Sequence, residues 1–168
     1  TGAFNLIGGS GQDTLRGGTG DDSLKGGGDI DTLKGEGGDD IIQGEGGADI
    51  ITGGSGADTF KVDSGSDIIV DLGGASGGDS DILIVSGSAT ATAANIVSFT
   101  ANGSTRNDGT ANLTAKASTN ATINLASSAA GLYTITGNTG DDTLTGGSGN
   151  DIINGANGAD IISGGGGD

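Results

Sequence analysis

From Gly8 to Val70 a large apolar side chain returns at every ninth residue: Leu15, Leu24, Leu33, Ile42, Ile51, Phe60 and Ile69. Two residues before each stands an aspartate: Asp13, Asp22, Asp31, Asp40, Asp49, Asp58 and Asp67. Counted from Gly8, the units are GGSGQDTLR, GGTGDDSLK, GGGDIDTLK, GEGGDDIIQ, GEGGADIIT, GGSGADTFK and VDSGSDIIV, with Asp at position six and the apolar residue at position eight. Two positions held in phase over seven units mark a repeat architecture.

Each unit predicts a turn followed by a short strand. Glycine clusters supply backbone angles that other residues avoid, and the last three residues point outward, inward and outward. Nine residues are half a coil, so two units form one 18-residue turn of a flattened solenoid. Position eight of successive units then points inward from opposite sheets, stacking Leu15, Leu33, Ile51 and Ile69 against Leu24, Ile42 and Phe60. Strands about 4.8 Å apart put Asp13 beside Asp31 and Asp22 beside Asp40. Carboxylates that close repel unless a cation lies between them.

After Val70 the period falters. Asp71 to Ala75 are inserted before SGGDSDILI, where Asp81 and Leu83 recover positions six and eight. From Ser86 to Ser128 the runs NIVSFT, ANLTAK and ATINLA, separated by turn residues, predict strands. They form either irregular coils that continue the solenoid or a small β insertion packed on it. Asp108 is the only acidic residue of this stretch, so a cation does not hold it together. At Gly137 the units restart as GNTGDDTLT, GGSGNDIIN, GANGADIIS and GGGGD. Gly2 aligns with Gly131, an offset of 129 that is not a multiple of nine, and the match runs without a gap through Asp39 and Asp168. A larger unit therefore starts over, with Phe4 and Tyr133 at position six of each opening coil, where an aspartate otherwise stands.

Composition changes the picture in one direction. With 39 Gly among 168 residues and 2% aromatics, the chain promises no conventional core, and without the repeat it would read as disordered. The 22 acidic residues against 6 basic ones give a net charge of -16, which disfavours nucleic acid and anionic membrane surfaces and invites metal ions. No run approaches the roughly 20 apolar residues of a membrane span. Four basic residues, Arg16, Lys25, Lys34 and Lys61, stand at position nine, where an outward, solubilising and edge-protecting role is expected. Absence of Cys and His removes disulfides, thiol nucleophiles, histidine triads and H-E-x-x-H zinc sites, so an enzyme is not expected.

The pattern GGxGxDxUx, with U a large apolar residue, resembles the calcium-binding nonapeptide of repeats-in-toxin (RTX) proteins. That resemblance implies an all-β fold, a right-handed parallel β-roll in two calcium-binding blocks joined by an irregular β region. The blocks are residues 1–70 with an opening coil, a calcium-poor stretch 71–130, and a second block 131–168. In such a roll each Ca²⁺ takes the position-six Asp and the position-two and position-four carbonyls of one loop. The loop 18 residues on adds its Asp and the carbonyls of positions one and three.

Carried onto this chain, the resemblance implies a site from Gly9, Gly11 and Asp13 with Gly26, Gly28 and Asp31, and one from Gly18, Gly20 and Asp22 with Gly35, Gly37 and Asp40. The next two join Gly27, Asp29 and Asp31 to Gly44, Gly46 and Asp49, and Glu36, Gly38 and Asp40 to Gly53, Ser55 and Asp58. A fifth joins Glu45, Gly47 and Asp49 to Val62, Ser64 and Asp67. A sixth uses Asn138, Gly140 and Asp142 with Gly155, Asn157 and Asp160, whereas Asp151 would need a residue 169. Non-glycine residues at Asp29, Glu36, Glu45 and Val62 keep their carbonyls in place only if the backbone angles survive. Hard oxygen donors favour Ca²⁺ over zinc or copper. About six ions would bring the formal charge from -16 to roughly -4.

The expectation is a calcium-rigidified structural module of a large secreted or cell-surface protein, adhesin or surface-layer-like, that folds outside the cell. Its partners would be calcium, neighbouring modules of the same chain and cell-surface or matrix components. The alternative is an accessory C-terminal β-roll of a secreted hydrolase, protease or epimerase whose catalytic domain lies elsewhere.

Overall fold

A computed structural model describes residues 2–74, 79–129 and 131–167. Residues 75–78, which include Ala75 of the insertion, and Asp168 of the repeat match lie outside the described residues. All regular structure is β, and every strand pairing is parallel. The chain winds a solenoid of about nine turns.

Eight strands come first: β1 (Asn5–Ser10), β2 (Thr14–Thr19), β3 (Ser23–Gly28), β4 (Thr32–Gly37), β5 (Ile41–Gly46), β6 (Ile50–Ser55), β7 (Thr59–Val62) and β8 (Ser66–Ile69). Odd strands join one sheet and even strands the other, and Leu15 pairs with Leu33 and Leu24 with Ile42 at the 18-residue advance. Leu24, Leu33, Ile42, Ile51, Phe60 and Ile69 are fully buried, each burial contributing about 1.5–3 kcal/mol. The strands run longer than the last three residues of a unit, through the first three of the next, because those glycines pair as well.

The middle continues the same solenoid in wider coils. Its strands are β9 (Ile82–Val85), β10 (Thr90–Ile96), β11 (Ser98–Thr100), β12 (Arg106–Asn107), β13 (Thr110–Ala115) and β14 (Thr122–Asn124). Each coil here visits three sheets in succession, β9, β10 and β11 and then β12, β13 and β14. The advance per coil is no longer 18: Ile96 pairs with Ala115 and Ser98 with Thr122. These wider coils explain why the restart is out of step with nine.

The two-sheet form returns with β15 (Tyr133–Thr136), β16 (Thr143–Thr145), β17 (Ile152–Asn154) and β18 (Ile161–Ser163), but on different faces. The first sheet ends at β12, a new four-stranded sheet begins at β11, and the eight-stranded sheet from β2 to β17 runs through without a break. Strands β1 and β15, alike in sequence, therefore lie in different sheets.

Changing faces creates two edges, and the irregular segments cover them. Gly73 lies so close beneath β11 that a Cβ would strike the Ser98 carbonyl, and Leu72 beside it is buried. The Asp71 carboxylate anchors this segment by accepting the N–H groups of Gly53 and Gly54, both at 2.9 Å. At the end of the first sheet, Ala129 N–H donates to Thr105 O at 3.1 Å and Asn107 Nδ2 donates to Leu132 O at 2.6 Å. The described part of the insertion, Asp71 to Gly74, is thus the cover of a strand edge that would otherwise invite another chain.

Candidate metal centre

Parallel stacking at an 18-residue advance brings each position-six aspartate over its predecessor. Asp13 N–H donates to Asp31 Oδ1 at 2.8 Å and Asp31 N–H to Asp49 Oδ1 at 2.8 Å. On the opposite edge Asp22 N–H donates to Asp40 Oδ1 at 2.7 Å and Asp40 N–H to Asp58 Oδ1 at 2.9 Å. Asp49 N–H completes the first row by donating to Asp67 Oδ1 at 3.1 Å. All five aspartate pairs expected in the first block are stacked in this way.

The second carboxylate oxygen is treated differently. Oδ2 of Asp13, Asp22, Asp31, Asp40, Asp49 and Asp67 is buried and accepts no hydrogen bond. A buried, unpaired carboxylate oxygen costs several kcal/mol, and two charges 4.8 Å apart repel by about 3 kcal/mol at an effective dielectric constant of about 20. A cation relieves both.

Position one is glycine because the aspartate folds back over it. A Cβ on Gly8 would meet both Asp13 Oδ2 and the Gly26 carbonyl, and the same pairing recurs over Gly17, Gly26 and Gly35 with the carbonyls of Gly35, Gly44 and Gly53. Carboxylate oxygen and carbonyl of the next loop therefore converge on one spot per rung. Over Gly44 the second oxygen is Asp67 Oδ2 instead, and the next position one is occupied by Val62. The carbonyls of positions two and four also face the next loop: a Cβ on Gly27, Gly38, Gly47 or Gly54 would strike the carbonyl of Gly9, Gly20, Asp29 or Glu36.

The non-glycine residues keep the angles their positions need. Asp29, Glu36 and Glu45 have φ of 72°, 82° and 69°, in the left-handed region where glycine is otherwise preferred. The two glutamates are held from outside, Arg16 pairing with Glu36, and Lys25 Nζ lying 3.3 Å from Glu45 Oε1. Arg16 and Lys25 point outward as expected of a solubilising, edge-protecting position, and the ion pairs add a role the sequence reading did not name. The signal was a basic residue 20 positions before an acidic one, which the 18-residue advance converts into neighbours. Position-three carbonyls of Gly37 and Ser55 accept the N–H groups of Gly20 and Gly38 and keep a second lone pair.

Burial, ahead of repulsion from neighbouring carboxylates, pushes Asp58 and Asp67 up to about 7 and Asp81 up to about 6. Asp40, Asp49 and Asp71 are raised for the same first reason. Asp81 joins the ladder although its loop is irregular: Asp58 N–H donates to its Oδ1 at 2.9 Å. Its Oδ2 is taken by Gly73 N–H at 2.7 Å.

Among the described residues no three carboxylates or other acidic, thiol or imidazole groups gather as a metal cluster. Each rung of the first block instead offers paired aspartates and backbone carbonyls, an all-oxygen set that fits Ca²⁺ better than Zn²⁺ or Mg²⁺.

The second block is stacked but not identical. Asp142 N–H donates to Asp160 Oδ1 at 2.9 Å, as in the first block. Yet Asp142 Oδ2 accepts Asn138 N–H at 2.9 Å, Asp151 Oδ2 accepts Gly147 N–H at 2.7 Å, and the Asn138 and Asn157 carbonyls accept Asn157 N–H and Gly140 N–H. The Gly164 carbonyl lies above Gly146 with Asp151 Oδ2. Phe4 and Tyr133 do share a backbone role, donating their N–H groups to Asp22 and Asp151, though Phe4 is exposed and Tyr133 buried.

Among the described residues no helix is long and apolar enough to cross a membrane. No curated protein and no solved structure matches the chain. The family model of the RTX calcium-binding nonapeptide repeat matches in four copies, at residues 5–33, 25–60, 34–69 and 136–168. These copies span more than half of the sequence and coincide with the stacked aspartate loops, so the chain belongs to the RTX calcium-binding nonapeptide repeat family.

Proposed function

We propose that the chain is a non-catalytic structural module of a larger secreted or cell-surface protein, made rigid by calcium at the five aspartate rungs of the first block. The observation that carries this reading is the row of six buried carboxylate oxygens without donors, most of them converging with a carbonyl of the next loop. Each rung uses the ligands named from the sequence: Gly9, Gly11 and Asp13 with Gly26, Gly28 and Asp31, and their equivalents up to Asp67. Where Ca²⁺ is scarce the carboxylates repel and the first block stays open; outside the cell the ion closes it. The return of the Gly2–Asp39 pattern at Gly131–Asp168 supports a tandem array, in which such modules form a stiff stalk of adhesin or surface-layer type. The buried carboxylates of the first block are committed to the rungs, and His and Cys are absent.

A calcium titration followed by far-UV circular dichroism tests this reading. The β signal should grow with a midpoint of about 0.1 to 1 mM, the range of extracellular modules. A β signal that ignores calcium over that whole range contradicts it.

A further inference from the structure

The buried aspartates of the first block and those beyond it are finished in opposite ways. In the first block the loops hold position two or position four, usually both, at positive φ, and Oδ2 is left without a donor in six of them. In the loops 137–142 and 146–151 neither Asn138 nor Gly140, and neither Gly147 nor Gly149, has positive φ. The position-two N–H of each loop turns inward instead and donates to the loop's own Asp142 or Asp151. Their other oxygens accept Ala121 N–H at 2.8 Å and Tyr133 N–H at 3.0 Å. Asp81, at the border, likewise has both oxygens paired, with Asp58 and Gly73 N–H groups. A carboxylate bonded on both oxygens by backbone donors has much of its burial cost met without a cation.

The apolar core is distributed the same way. Among the described residues, 17 of the 25 buried apolar side chains belong to the stretch from Leu83 to Leu144, including Phe99, Leu113, Ile123 and Tyr133. Three-faced coils enclose more interior than a flattened roll does, and Asp108, exposed, is the only acid between Asp81 and Asp141. Calcium is thus least needed where the core is largest.

We propose that the strands from β9 to β16 fold without calcium, with the loops 137–142 and 146–151 closed by backbone N–H groups in place of an ion, and that calcium assembles the first block on this preformed part. The inference rests on the calcium reading of the first block. It makes the calcium-poor middle the permanent foundation of the module rather than a spacer.

Hydrogen exchange read by mass spectrometry on the full chain, in excess chelator and then in excess calcium, tests it. In chelator, peptides from β10, β13 and β14 should exchange at least about a hundredfold more slowly than an unfolded chain, while those from β1 to β6 exchange freely. With calcium, both should be protected. Free exchange everywhere in chelator overturns this inference and leaves the calcium reading standing. Protection everywhere in chelator overturns both. Terbium adds a spectroscopic check, since Tyr133, the sole tyrosine in a chain without tryptophan, lies beside the Asp151 loop. Terbium that replaces calcium in the first block should give no tyrosine-sensitised emission; strong emission would place an ion at the closed loops and overturn the inference.

Discussion

At the residue scale the chemistry turns on a glycine and an aspartate five positions apart. Gly26 leaves the space in which Asp31 Oδ2 and the Gly44 carbonyl meet, so Gly26→Ala should remove the ion of that rung and destabilise the calcium form by about 2–4 kcal/mol. Calorimetric calcium counting with thermal unfolding checks this, and an unchanged count contradicts it. Protons are the alternative neutraliser. Asp58 and Asp67 titrate near 7 in the metal-free fold and Asp81 near 6, all above the ordinary carboxylate value of about 4. The fold therefore binds protons that the unfolded chain has released, so their contribution is full below about pH 4 and is lost as pH rises through 6 to 7. In chelator the first block should be more compact at about pH 5 than at about pH 8. Size-exclusion chromatography showing the reverse order refutes the assignment.

At the scale of elements, the solenoid manages edges that a two-sheet roll never exposes midway. The segment around Leu72 and Gly73 covers β11, and Asp71 pins it to the Gly53 and Gly54 N–H groups. Leu72→Ala should cost about 2–4 kcal/mol and uncover an edge, giving concentration-dependent association in light scattering. Unaltered stability and a monomeric variant would show that the segment covers nothing. The regular strands were legible in the sequence because position eight alone fixes their register and the 18-residue advance fixes their partners. In the middle the strands were legible from NIVSFT, ANLTAK and ATINLA, but their register and the choice between continuing coils and a separate insertion were not, because Ala91, Ala93, Ala111 and Ala115 line a wide interior with side chains too small to announce a period.

Across the whole molecule, one continuous solenoid carries two classes of loop. The ligand geometry read from the repeat holds in the loops of the first block, where position two or position four has positive φ. Gly137–Asp142 and Gly146–Asp151 carry the same motif but rest on loops without an aspartate, and their backbone turns on itself. The coil beneath does not by itself decide it, since Asp22 also rests on an aspartate-free coil at Phe4 and yet keeps an unpaired Oδ2. Likewise the composition argued against a core, yet a column one side chain wide needs only one apolar residue per unit to fill it. Calcium between its aspartates is proposed to hold the first block closed. Far-UV circular dichroism with size-exclusion chromatography, before and after complete removal of calcium at about pH 7.5, tests it most directly. A partial loss of β signal with an increase in hydrodynamic radius is expected, both reversed when calcium is restored. An unchanged β signal and an unchanged radius without calcium would contradict it.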